Sequence, residues 1–181
     1  MTGIFLSISS RSFSNLISDN GKKYGQKSID RLFLLRRTYA ENSGKICRIT
    51  GGDLFEIRPA QAYCTDYNKT ERQARQEVKD GFRPVLAQKP QDMTQYDIVF
   101  VGTPNWFNKV APAVASFLAG NDFSGKTVVP FCTHGGNGVS RVVTDLRGYI
   151  PNVRVAECLD IFGDGGPEAD GKIRRWIEKN I

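Results

Sequence analysis

The chain has 181 residues, of which 40% are hydrophobic and 24% charged, the balance of a globular protein with a single domain's core. No apolar run approaches the ~20 residues of a membrane span. The opening Ile4-Phe5-Leu6 is interrupted at Ser7, so no signal-peptide core is legible and a cytoplasmic location is expected. The net charge of +6 is confined to the start: residues 1–52 hold nine Lys/Arg and three Asp/Glu, whereas residues 53–181 hold sixteen of each. The neutral body offers no nucleic-acid platform, while the basic arm suits an acidic partner or a phosphate.

From residue 53 onward the pattern is regular. "DLFEIRP" (53–59) alternates and ends at a proline, as a strand does. "TERQARQEVKDG" (70–81) is rich in helix formers and stops at Gly81. "YDIVFVG" (96–102) reads as a buried strand. Pro112 opens a helix on which Ala113, Val114, Phe117 and Leu118 share a face, ending at Gly120. "KTVVPFCTH" (126–134) is a second buried strand, followed by Val139, Val142, Val143 and Leu146 at helical spacing. "NVRVAECLDIFG" (152–163) reads as one further strand, and Pro167 begins a last helix with Ile173, Trp176, Ile177 and Ile181 facing inward. Alternating strands and helices, with central strands apolar on both faces, call for a parallel sheet covered by helices on two sides.

Cys47, Cys64, Cys132 and Cys158 form no CxxC pair, and one histidine makes a zinc site unexpected; reduced structural thiols and no metal are the reading. Ligands of such sheets bind beyond the carboxyl ends of the strands. Two loops lie there. The first, residues 103–109, carries Trp106 and Phe107, either as a plug over the helix at Pro112 or as an aromatic wall. The second, "THGGNG" (133–138), has three glycines in six residues. It is either a plain strand-to-helix turn or a backbone surface that a flat ligand can approach closely. Together they would make a slot for a planar heteroaromatic ligand, with flavin as the first candidate.

"DLFEIRP", "YDIVFVGTPNWFNKVAPAVASFLAGNDFSGKTVVPFCTHGGNGVSR" and "VAECLDIFG" resemble the flavodoxin-like proteins, in particular a subgroup with a "PNWW" loop and a "CTHxGxG" loop. The likeness covers about residues 50–181. It implies a flavodoxin-like three-layer α/β/α fold, with a five-stranded parallel sheet of order 2-1-3-4-5 and a non-covalent FMN. By the same resemblance Thr103, Pro104, Asn105, Trp106 and Phe107 line one side of the isoalloxazine, and Thr133, His134, Gly135, Gly136 and Gly138 the other.

The departure is at the start. Family members hold the FMN phosphate in a loop such as "SRTGNT" at a helix start, and no intact copy is present. "IFLSISSRSFSN" (4–15) is one candidate remnant, with Ser10, Arg11 and Ser12 as phosphate ligands. "SIDRLFLLRRTY" (28–39) is another candidate first strand, with Arg36, Arg37 and Thr38 where the loop should be. Residues 1–50 are accordingly read as an aberrant basic segment, with first strand and phosphate loop degraded or replaced, and residues 51–181 as the domain body. The implied function is electron transfer by an FMN protein or NAD(P)H-dependent flavin oxidoreduction, with no catalytic side chain assigned. The partners would be a redox protein, or NAD(P)H with a small acceptor; nucleic acid and membrane are not expected. The alternative is a flavodoxin-fold protein that has lost tight FMN binding and acts as a non-enzymatic binding module.

Overall fold

The computed structural model describes residues 4–9, 31–64, 66–90 and 92–181. In chain order these form β1 (Ile4–Ser9), α1 (Arg31–Thr50), β2 (Asp53–Ile57), α2 (Tyr67–Asp80), β3 (Ile98–Pro104), α3 (Pro112–Ala119), β4 (Thr127–His134), α4 (Val142–Tyr149), β5 (Arg154–Val155), β6 (Leu159–Phe162) and α5 (Ala169–Asn180). The sheet runs β2-β1-β3-β4-β5, with β6 also paired to β4. Among the described residues no helix is long and apolar enough to cross a membrane.

The buried strands are apolar on both faces because each face meets a different helical layer. Val99 and Val101 of β3, with Val128 and Cys132 of β4, pack with α3 and α4 residues such as Val114, Phe117, Val142 and Leu146. Phe100, Val129 and Phe131 turn the other way, onto Ile46 of α1 and Ile173, Trp176 and Ile177 of α5. This period-two division yields the expected three layers. Local signals set the helix ends: Asp66 caps α2 by accepting the Lys69 N–H at 2.9 Å, and Gly81 closes it with φ 62°, in the left-handed region.

Three expectations change. β3–β4, β4–β5 and β4–β6 are parallel, but β1 runs antiparallel to both β2 and β3, so the sheet is not parallel throughout. Residues 10–30 separate β1 from α1, and a connection of that length lifts the constraint that a short βαβ crossover places on strand direction. Residues 31–39 are helical, so the segment 28–39 supplies no first strand. Finally, 152–163 is two short strands, which makes six strands among the described residues instead of five.

Both sides of that interruption have a physical cause. Ala156 donates to the Val128 carbonyl at 2.8 Å, so the even-numbered residues of β4 direct their polar backbone groups towards β5 and β6. Pro130 therefore has its missing N–H on this side, between the β5 pair Val128↔Val155 and the β6 pair Phe131↔Leu159. Glu157 follows Ala156, so its backbone faces away from β4 and is bonded to α5: its N–H donates to Asn180 Oδ1 at 3.0 Å and its carbonyl accepts from Trp176 Nε1 at 2.7 Å.

β3 continues two residues past Gly102, and that glycine is required by packing. A Cβ at Gly102 would lie 2.3 Å from Cζ of Phe131, whose ring is buried and packs edge-on against Trp176 at 6.4 Å between centroids. Gly102→Ala is expected to lower stability by about 1–3 kcal/mol through overpacking. The urea midpoint measures it, and an unchanged midpoint would mean that the Phe131 ring can retreat.

Candidate functional site

The carboxyl ends of β3 and β4 lie side by side, in the register Thr103↔Cys132 and Pro104↔Thr133. The pairing runs one residue further, with the Asn105 N–H donating to the Thr133 carbonyl at 2.9 Å. The aromatic and glycine loops therefore leave the sheet as neighbours. Asn105 ties them: its Nδ2 donates to the Gly138 carbonyl at 2.8 Å, and its Oδ1 accepts from the Asn108 N–H at 2.8 Å.

In the first loop, Trp106 and Lys109 exchange backbone hydrogen bonds of 3.1 and 3.0 Å around Phe107 and Asn108. Both central residues have positive φ, 53° and 68°, the mark of a mirror-image hairpin turn. Asparagine tolerates that region; phenylalanine is held there at a cost of about 1–2 kcal/mol. Helix α2 offsets part of it. The Arg75 guanidinium lies 4.4 Å over the Phe107 ring. Tyr63 meets Trp106 edge-on at 5.5 Å and donates its hydroxyl to Glu77 Oε2 at 2.5 Å. Burial first, and then the Glu77 carboxylate, raise the Tyr63 phenol well above its usual range, so it remains a donor. The far end of the loop is held by Asp145 of α4, whose Oδ2 accepts the Val110 N–H at 3.1 Å.

Thr103 and Pro104 are buried, Asn105 and Trp106 half-buried, and Phe107 exposed at 37%. The Thr103 hydroxyl is engaged internally, donating to the Pro104 carbonyl at 3.0 Å and accepting the Ala111 N–H at 3.1 Å. It braces the loop rather than facing outward.

In the second loop Gly135 and Gly136 are exposed, and a Cβ built on either meets nothing within 4 Å, so the backbone there is open to approach. The Gly136 N–H points inward, however, donating to Nδ1 of His134 at 3.0 Å. The opposite ring nitrogen, Nε2, is bonded to Asp160 of β6. Thr133 is buried, and its Oγ1 has no partner among the described residues, an orphaned hydroxyl of the kind a ligand satisfies. Ser10, Arg11 and Ser12 lie outside the described residues, and Arg36–Thr38 fall within α1.

All four cysteines are free thiols. Burial, then the charge of Asp160, pushes the Cys132 thiol up to about 12, leaving no thiolate at the end of β4. Tyr63, Arg75, Asp145 and Asp160 went unmarked in the sequence. Only Asp160 left a local signal, as a charged residue inside the strand-like "LDIF".

A model of the family described as Flavodoxin matches residues 33–180, so the match takes in α1 as well as the body. Among solved structures, a candidate flavoprotein from Bacteroides eggerthii is 31% identical, covers 79% of this chain and 90% of its own, and superposes with a TM-score of 0.69. Another from Bacteroides uniformis is 26% identical, with 77% and 89% coverage and a TM-score of 0.68. A flavoprotein in complex with FMN from Lactobacillus acidophilus shares the fold at 16% identity, with 76% and 89% coverage and a TM-score of 0.56. A search of curated proteins found no match. With its family match spanning most of the sequence and its helices flanking a largely parallel sheet, the chain belongs to the flavodoxin family.

Proposed function

We propose that the chain binds FMN between residues 103–107 and 133–138 and transfers electrons through it. The observation that carries this reading is the seam between the two loops. Asn105, next in the chain to the half-buried Trp106, ties its loop to an open glycine backbone, with the orphaned Thr133 hydroxyl at the same strand end. A fold-level relative bound to FMN adds support by analogy. When bound, flavin supplies the redox chemistry. The chain's own residues do the rest. Trp106 offers an aromatic face and, with Phe107, limits solvent; Gly135 and Gly136 permit close backbone approach; Thr133 offers a hydroxyl donor.

Whether the electrons pass to a redox protein, or from NAD(P)H to a small acceptor, depends on the partner. The neutral charge of residues 53–181 favours the reductase reading over a carrier with an acidic docking face. A cytoplasmic location belongs to the same reading. A visible flavin spectrum of the purified protein, followed by stopped-flow mixing with NAD(P)H, tests both levels. A colourless protein that gains no absorbance with added FMN would leave the binding-module alternative standing.

Two outcomes are expected in titrations. Trp106→Ala should weaken FMN binding by about 1–3 kcal/mol through lost aromatic burial; unchanged affinity by flavin fluorescence quenching would make Trp106 only a prop for Tyr63. FMN and riboflavin should bind within about tenfold of each other, because each charge-assisted phosphate bond is worth about 1.5–3 kcal/mol and the sequence has no intact phosphate loop. Strong rejection of riboflavin would show that Ser10, Arg11 and Ser12, or Arg36–Thr38, form a working phosphate site.

A further inference from the structure

We propose that Asp160 is a positioning residue of this site, acting through His134 on the glycine loop. Its consequence for affinity rests on the FMN reading above; its geometry does not. β6 lies beside β4 in the register Cys132↔Asp160 and His134↔Phe162, which sets the carboxylate against the imidazole. Asp160 Oδ1 bonds to Nε2, while Nδ1 lies 3.0 Å from the Gly136 nitrogen.

A backbone N–H only donates, so Nδ1 must be the bare, accepting nitrogen and the ring proton must sit on Nε2. An ionised carboxylate only accepts, so Asp160 selects that same tautomer. The two contacts are therefore coupled. Without an acceptor at Nε2 the ring is free to carry its proton on Nδ1, which would set N–H against N–H at Gly136.

Burial makes the ring a dependable strut. The His134 side chain is 8% exposed and packs on Phe162 at 5.9 Å between centroids, whereas the Asp160 side chain is 53% exposed. The second carboxylate oxygen also reaches under the other end of the loop, 3.6 Å from a Cβ built at Gly138. With Gly138 tied from above by Asn105, the glycine loop is fixed at both ends, and Gly136 holds φ 141° between them.

The test reads the ring directly, because the chain contains one histidine and its imidazole 15N signals are unambiguous. In the ligand-free 181-residue protein, Nε2 should be protonated and Nδ1 bare and hydrogen-bonded. Asp160→Asn, whose amide oxygen can still accept from Nε2, should keep that state. Asp160→Ala should lose it, with mixed tautomers, a displaced Gly136 amide resonance and an FMN Kd raised about five- to tenfold. His134→Gln should displace the Gly136 amide as well, which covers the case of an Asp160→Ala variant that does not fold. An unmoved Gly136 amide in His134→Gln, or an unchanged ring and amide in folded Asp160→Ala, would overturn the proposal whatever happens to FMN affinity. If the ring responds as expected but the wild type takes up no FMN, the positioning role stands and the FMN reading falls.

Discussion

The pairing of Pro104 with Thr133 at the end of the parallel β3–β4 ladder is the constraint on which the site depends. Parallel strands finish at the same edge, so their two exit loops must share space. The first contains a phenylalanine in left-handed backbone; the second is largely glycine. Besides its internal turn bonds, each is held by bonds that cross the seam or reach down from the scaffold: Asn105 to Gly138, Asp145 to Val110, Asp160 to His134 beneath Gly136. A small error in strand register would break several of these together.

Helix α2 has an unusual share in this arrangement. Its buried residues Thr70, Ala74 and Val78 seat it, and its outer edge then serves the aromatic loop through Arg75 and Glu77. Glu77 is itself held, since Gln73 donates to its Oε1 at 2.7 Å. The aromatic pair is thus oriented from a rigid element, as the proposed flavin site requires.

Much of this was legible in the sequence because the signals are local. Period-two burial marks β3 and β4; Pro112 and Gly81 mark helix ends; the glycines of 133–138 mark an open turn. The elements misread are those decided at a distance. The strand at 152–163 is interrupted opposite Pro130, and there Trp176 and Asn180, about twenty residues later, hold the backbone of Glu157. Pro130 was the one local hint of that break, and its meaning depends on which neighbour its missing N–H faces. The direction of β1 is likewise invisible, because alternation looks the same read either way along a strand. Tyr63, Arg75, Asp145 and Asp160 gain their roles only from tertiary neighbours. Thr103 illustrates the converse: a residue at the right place in the motif whose hydroxyl the fold has already used.

The central seat of β1 also bears on how the chain folds. β3, α3 and β4 follow one another in sequence, so they can condense with short loop closures. β1 must find Val101 from Leu6, 95 residues away along the chain (101 − 6), before the facing edges of β2 and β3 gain their partner. Until it docks, the nascent domain presents two unpaired strand edges at its middle, where another chain's strand would fit as well as its own. The order of assembly, more than the stability of the finished sheet, is where this molecule is most exposed to mispairing.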